Sequence, residues 1–220
     1  MSKIVQTEDL SNTLFSERFG EHYHSIHGAE NESMHIFINA GLRQTKKKEI
    51  SIFEMGLGTG LNAFLTLKEA QKNNLIIDYT AIEMYPIKEE VYQNLNYAES
   101  ELKRYYLLMH KSNWGISTEI SSHFFLTKIK DSIVNFRHSK KYDLIYYDAF
   151  SPDTQPELWT KEIFESLFKS MNEGGIFMTY TVKGIVKRAL KSVGFKVEKL
   201  PGPVGKREIL KATKVTKKNS

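Results

Sequence analysis

Nine consecutive residues carry the densest chemical signal of the chain: Glu54, Met55, Gly56, Leu57, Gly58, Thr59, Gly60, Leu61 and Asn62. Glycines spaced G-x-G-x-G let the backbone turn sharply and approach a ligand, which the free N–H groups of a following helix can also face. The spacing differs from the G-x-G-x-x-G of dinucleotide sites, and an acid, Glu54, stands just before the turn. A carboxylate there repels a pyrophosphate but can receive the ammonium of an amino-acid moiety. The combination favours S-adenosylmethionine (SAM) over NAD. Asn62 closes the motif.

Three further acids extend this chemistry. Glu83 lies about 20 residues beyond the turn, where an acid can take both hydroxyls of a ribose. Asp131 can reach an adenine amino group or cap a helix, and the two roles are compatible. Asp148 opens the run Asp148-Ala149-Phe150-Ser151-Pro152. Enzymes that methylate planar amino groups often carry an Asn/Asp-Pro-Pro-aromatic element here, and this chain has no such Pro-Pro. Its carboxylate flanked by aromatics suits an aliphatic amine. An alkylammonium, with a pKa of roughly 10, cannot attack while protonated. A partly desolvated Asp148 can orient it, accept its proton and leave the lone pair free, and a dry pocket then has mainly to position the reactants. The spacing of His22, His24 and His27 fits a strand as well as a metal site; no carboxylate pair completes a ligand set, so no metal is expected.

Such residues need a scaffold that brings them to one edge. Strand patterns at 50–55, 75–83, 124–129, 142–149 and 176–181 alternate with helical patterns at 61–71, 87–98, a short one from Asp131, 156–171 and 184–193. Pro86 suits a helix start, and Asn172, Glu173, Gly174 and Gly175 form a stop. A last pair of strands, 195–200 and 209–213, is joined by a loop too short for a helix and is expected to be antiparallel. The order predicts an α/β, Rossmann-like, mostly parallel seven-stranded sheet with an antiparallel C-terminal edge hairpin. Acids at successive strand ends then lie where open α/β sheets bind ligands. Residues 1–45 break the alternation and read as a small extension packed near that edge, 46–213 as the domain, and 214–220 as a basic flexible tail. Trp159, Phe164 and Phe168 recur at helical spacing as core. Tyr146 and Tyr147 alternate on a buried strand, so at most one faces the site.

Composition excludes other chemistry. The chain of 220 residues contains no Cys, which removes disulfide frameworks, thiolate-held metals or clusters, and thiolate nucleophiles. Methylation of a pyrimidine C5 through a Cys adduct goes with them. The N-terminus lacks a signal-peptide pattern, and no run approaches the ~18 apolar residues of a membrane span; a cytoplasmic protein is expected. The net charge of +5 conceals an asymmetry: residues 183–220 hold twelve Lys/Arg against two acids, while the rest carries −5. A basic end on an acidic body suits a polyanion partner or an ordinary solvated surface.

The chain also resembles a known family. The segments LFSERFGEHYHSIHGAENESMHIFI, GLGTGLN, AIEMYP, DAFSPDTQPELWT, TVKGIVKRAL and GKREIL are similar to the methyltransferase domain of the bifunctional tRNA 5-methylaminomethyl-2-thiouridine biosynthesis enzyme, MnmC, and to its stand-alone counterpart, MnmD. GLGTGLN alone marks a SAM fold; DAFSP-x3-PELW together with GKRE is far more specific. The resemblance implies SAM-dependent N-methylation of the 5-aminomethyl group of (2-thio)uridine at the tRNA wobble position, with SAM as cofactor and neither FAD nor a metal. The FAD-dependent domain of the bifunctional enzyme has no counterpart among these residues, so the aminomethyl substrate is expected directly or from a separate oxidase. Gly56, Gly58, Gly60, Glu83 and Asp131 fall on cofactor positions, and Asp148 on the acid that engages the substrate amine. Phe150 and Pro152 flank the substrate, and Lys183, Lys187, Arg188, Lys206 and Arg207 offer a basic surface to anticodon-arm phosphates. An aminopropyltransferase of the spermidine-synthase type, or another small-amine transferase, shares the fold and the amine nucleophile. Its decarboxylated cofactor leaves Glu54 without an ammonium to bind, and a small diamine gives the basic end no use. A non-catalytic RNA-binding module would not need the glycines, Glu83 and Asp148 all intact.

Overall fold

Side chains on a strand alternate between faces, so strands that are apolar on both faces must be covered twice. The computed structural model describes residues 2–215. It begins with β1 (Ser2–Gln6), β2 (Asn12–Ser16) and β3 (Glu21–His22), then α1 (Ala29–Ser33), which runs on into a π-helical turn, Met34–Asn39. Next come β4 (Glu49–Met55), α2 (Leu61–Asn73), β5 (Ile76–Ile82), α3 (Glu89–Tyr92) and α4 (Lys103–Lys111). The chain continues with β6 (Ser117–Ser121), β7 (Phe124–Ile129), β8 (Tyr142–Tyr147), α5 (Lys161–Lys169), β9 (Met171–Thr179), α6 (Gly184–Ser192), β10 (Phe195–Pro201) and β11 (Glu208–Lys214).

Eight strands form the main sheet in the order β10-β11-β9-β8-β4-β5-β7-β6. The five from β9 to β7 are parallel, β11 is antiparallel to β9 and β10, and β6 is antiparallel to β7. The expected C-terminal edge hairpin is therefore present, and the seven-stranded expectation is corrected to eight. The added strand, β6, reads Ser-Thr-Glu-Ile-Ser and buries only Ile120, so it has almost no apolar pattern to detect. Along β8, Leu144 and Tyr146 pack with Phe64 and Leu67 of α2, while Ile145 and Tyr147 pack with Phe164 of α5 and Leu190 of α6. Tyr146 and Tyr147 are both 0 % exposed. Burying a side chain such as Phe164 contributes roughly 1.5–3 kcal/mol, and this double layer holds the strand ends in place.

Three helical patterns differ from expectation. The pattern at 87–98 yields only α3, because Asn96 leaves the helix to bond the N-terminal sheet. Its side chain accepts the Asn12 N–H at 2.8 Å and donates to the Leu10 carbonyl at 2.8 Å, while the Tyr97 hydroxyl donates to the Asn12 carbonyl at 2.6 Å. The short helix expected from Asp131 is a turn, in which Asp131 accepts the Ser132 N–H at 2.7 Å. The helical pattern at 156–171 divides into a 3-10 turn, Pro156–Trp159, and α5. The glycine stop at 174–175 lies within the first, bulged part of β9. Residues 2–22 form a separate antiparallel sheet, β1-β2-β3. Of the expected basic tail, 216–220 lie outside the described residues. Among the described residues no helix is long and apolar enough to cross a membrane.

His138 packs against Phe53, Phe136 and Tyr142, and neither of its ring nitrogens meets a partner among the described residues. Burial lowers its pKa to about 4, and burial likewise lowers His24 and His110 to about 4. The unfolded chain therefore takes up these protons first as the pH falls through about 6.5, and the folded state loses stability from there down to about 4. Denaturant midpoints measured at pH 7.5 and pH 5 will show this loss. His138→Phe will reduce the difference, since it removes one of the three titrations.

Candidate active site

The parallel strands reverse their order between β4 and β8, and in open α/β sheets ligands bind at the carboxyl ends beside such a reversal. Here those two ends touch. The Asp148 N–H donates to the Met55 carbonyl at 3.0 Å, and the Gly56 N–H to the Ile82 carbonyl at 3.0 Å. Gly56 has φ +87°, and a Cβ on it would lie 2.9 Å from the Asp148 carbonyl oxygen. Only glycine lets the turn pass that close to the end of β8. Gly60, at φ +75°, closes the turn and opens α2.

A cavity of about 420 Å³ opens over these ends. Its floor includes Gly56, Gly58 and Glu83, and one wall carries Asn62, Asp148 and Phe150. The N-terminal extension roofs it with Phe19, Tyr23 and His24. The Phe19 and Phe150 ring centroids are 4.6 Å apart, and Tyr23 meets Phe150 edge-on at 5.1 Å. The guanidinium of Arg18 sits 3.8 Å from the Tyr85 ring centroid.

Charge in the cavity is arranged around carboxyl groups. Glu83 accepts the Gly58 N–H at 3.0 Å and the Tyr85 N–H at 2.7 Å, so it braces the glycine turn. Burial raises its pKa, and those backbone bonds oppose the rise. Asp148 accepts from the Asn62 amide at 2.8 Å. Burial pushes its carboxyl up to about 7; the Glu32 charge adds to the rise, whereas Asn62 and Lys206 oppose it. The Lys206 ammonium reaches Glu32 at 2.5 Å and lies 4.3 Å from the Tyr180 ring centroid. The Tyr180 hydroxyl donates to the Ala149 carbonyl at 3.0 Å. Burial favours a protonated Glu21, but bonds from the Ser151 hydroxyl at 2.6 Å, the Ser151 N–H at 3.2 Å and the Thr154 hydroxyl outweigh it and lower its pKa.

The expected site residues separate into three groups. Gly56, Gly58, Asn62, Glu83, Asp148 and Phe150 converge on the cavity, and Asp131 lies on its wall as an exposed turn residue. Glu54 does not line the cavity: it is 0 % exposed, enclosed among Asn62, Tyr79 and Asp148. This corrects the expectation that it meets a cofactor ammonium directly. Gly60 lies under His110, where a Cβ would be 2.9 Å from Nε2, and it does not line the cavity either. Pro152 is buried off the cavity. Lys206 turns inward to Glu32 rather than outward to solvent. Lys183 pairs with Asp153, while Arg188 and Arg207 are exposed. The sequence reading assigned no role to Phe19, Glu21, Tyr23, Glu32 or Tyr180. The signal for four of them was the dense polar and aromatic run from Phe19 to Glu32, which has neither strand nor helix period.

This sheet, with its glycine turn after β4 and acids at neighbouring strand ends, defines a Rossmann-like SAM-dependent methyltransferase. Residues 93–215 match the family described as S-adenosyl-L-methionine-dependent methyltransferase, and the chain belongs to that family. It is 31% identical over 216 residues to the tRNA 5-methylaminomethyl-2-thiouridine biosynthesis bifunctional protein MnmC of Leptospira interrogans serogroup Icterohaemorrhagiae serovar copenhageni, a match over 90% of this chain and 33% of the relative. The chain thus spans about a third of the length of the curated relatives it matches. The crystal structure of MNMC2 from Aquifex aeolicus aligns with a TM-score of 0.80 at 26% identity, over 98% of this chain and 72% of that one. Spermidine synthase from Thermotoga maritima aligns at 0.62 with 15% identity, over 97% and 69%, a likeness of fold alone.

Gly56→Ala will strain a left-handed backbone and press on the Asp148 carbonyl. The variant is expected to lose ~1–3 kcal/mol of stability and to bind SAM more weakly. Denaturant titration and calorimetry measure the two effects separately.

Proposed function

We propose that this chain methylates the primary amine of the 5-aminomethyl group of (2-thio)uridine at the wobble position of tRNA, giving 5-methylaminomethyl-(2-thio)uridine. The observation that carries the reading is Asp148, a carboxyl on the cavity wall beside the glycine turn that titrates at about 7. Such a group is ionised often enough near neutral pH to pair with an alkylammonium and to receive its proton, a transfer uphill by about 3 pKa units from a free ammonium. The tRNA-modification names of the relatives support the same substrate.

The residues fit the cofactor. Gly56 and Gly58 bring bare backbone to the cavity, at φ +87° and +50°, and Glu83 and Asp131 supply acceptors in the same cavity. In this reading they hold SAM, which when bound supplies a methyl group on a sulfonium centre. Asp148 orients the substrate ammonium, takes its proton and leaves the nitrogen lone pair directed at that methyl. The ring faces of Phe19, Tyr23 and Phe150 exclude water and give the planar base a stacking surface. Arg188 and Arg207, exposed outside the cavity, contact phosphates of the anticodon arm.

The deciding experiment incubates the chain with labelled SAM and total tRNA from cells lacking it, followed by nucleoside mass analysis. Gain of 5-methylaminomethyl nucleoside with loss of its aminomethyl precursor is expected; SAM binding without tRNA labelling would overturn the substrate. Turnover will fall as the pH drops below about 7, because the raised Asp148 carboxyl is then protonated and cannot accept. Asp148→Asn will lower turnover by about 10²-fold or more while leaving SAM affinity nearly unchanged. Arg207→Ala will raise the tRNA KM and flatten its salt dependence. Lys206→Ala, which removes a group inside the cavity, will act mainly on kcat.

A further inference from the structure

Among the described residues, Lys206 is the one lysine or arginine that lines the cavity. Its neighbours Val204 and Arg207 face solvent, whereas Lys206 turns inward. The loop that carries it is pressed onto the N-terminal extension. His35 Nε2 donates to the Pro201 carbonyl at 2.8 Å, and at Gly205, with φ +82°, a Cβ would strike the His27 ring. The backbone of Lys206 is therefore fixed, and its side chain is aimed by its surroundings.

Those surroundings leave part of the ammonium free. Glu32 Oε1 lies 2.5 Å from it, and the Tyr180 ring centroid lies at 4.3 Å. Glu32 is itself sealed: Oε1 is buried, and Oε2 accepts the Ser25 N–H at 2.7 Å. The side chain of Glu32 is 9 % exposed and that of Lys206 30 %, so the cation and not the acid is what a ligand meets. An ammonium has three N–H donors. The carboxylate and the ring face occupy two directions, and among the described residues no further acceptor stands against the ammonium.

The free donor lies close to the proton acceptor. The Tyr180 hydroxyl donates to the carbonyl of Ala149, the residue after Asp148, so the ring against Lys206 is tied to the segment that carries Asp148. The charges of Glu32 and Lys206 both reach Asp148. A ligand that sets its ammonium on Asp148 is matched best when it carries a hydrogen-bond acceptor beside that amine. In a uracil with a 5-aminomethyl group, the C4 carbonyl is on the neighbouring ring carbon and shares an edge with the amine. We propose that Lys206 is a specificity-determining residue that donates an N–H to this carbonyl, an inference that rests on the substrate proposed above. The contact fixes the edge of the base that faces Asp148, and an amine without that carbonyl leaves the donor unmet. Because phosphate contacts dominate tRNA affinity, loss of this one contact falls on kcat more than on KM.

The test compares two isomers, 5-aminomethyluracil and 6-aminomethyluracil. In the second, the aminomethyl carbon is flanked by ring N–H and C–H groups, so the acceptor beside the amine is gone while the composition is unchanged. Calorimetry with the full chain and S-adenosylhomocysteine, the form of the cofactor left after methyl transfer, measures both affinities. The wild type is expected to prefer the 5-isomer by about tenfold or more, as loss of a hydrogen bond to a charged group predicts. Lys206→Met is expected to reduce that preference to under about threefold, and Lys206→Arg, which keeps a cationic N–H donor, to retain it. A lysine that served only to tie the loop to Glu32 would leave the ratio unchanged in Lys206→Met. That result, or a wild type without a preference for the 5-isomer, overturns the proposal, and the wild-type measurement decides even if Lys206→Met does not fold. Neither measurement uses tRNA or turnover. Methylated tRNA with an isomer preference that survives Lys206→Met removes this inference and keeps the substrate; a preference that depends on Lys206 without tRNA methylation does the reverse.

Discussion

The site depends on the meeting of two parallel strand ends. β4 delivers the glycine turn and β8 delivers Asp148, and the two are joined by the Asp148 N–H on the Met55 carbonyl and by the contact of Gly56 with the Asp148 carbonyl. Any side chain at Gly56 would push them apart. Because both strands are covered on both faces, by α2 on one side and by α5 and α6 on the other, neither can shift to relieve the crowding. The glycine turn and Asp148, proposed above as cofactor cradle and proton acceptor, are therefore held at fixed separation by backbone rather than by mobile side chains, which is how orientation lowers a barrier.

The second organising constraint is the management of negative charge away from water. Three acids, Glu32, Glu83 and Asp148, line the cavity, and each is treated differently. Glu83 is satisfied by backbone N–H groups, Glu32 by the Lys206 ammonium and the Ser25 N–H, and Asp148 by the Asn62 amide. The same residue type thus acquires different properties from its partners and depth.

The parallel part of the fold was legible because its strands are apolar runs bounded by glycines and acids, and the glycine turn, Glu83 and Asp148 stood out for the same reason. What escaped were elements held by partners distant in sequence. β6 survives as an edge strand with one buried side chain, and the helix after Pro86 stops early because Asn96 and Tyr97 are claimed by Asn12 and Leu10, more than eighty positions away. Lys206 looked like surface charge in a basic loop, and only the fold places Glu32 beside it. Glu54 was read correctly as an acid next to the turn and incorrectly as facing the ligand, because strand position gives the face of a side chain but not what lies in front of it.

The small β1-β2-β3 sheet has a consequence of its own. The residues that roof the cavity, Phe19, Tyr23 and His24, belong to a segment joined to the main domain by polar bonds at Asn12 and Asn96 and by ring contacts with Phe150 and Tyr85. None of the parallel strands contributes to that ceiling. The ceiling and the glycine turn of the cavity are therefore written in different stretches of chain. The division stops at α1: Ile36, Phe37 and Ile38 are buried in the main core, where Phe37 meets Tyr146 of β8 at 5.0 Å, so the ceiling is anchored to the strands that carry the turn.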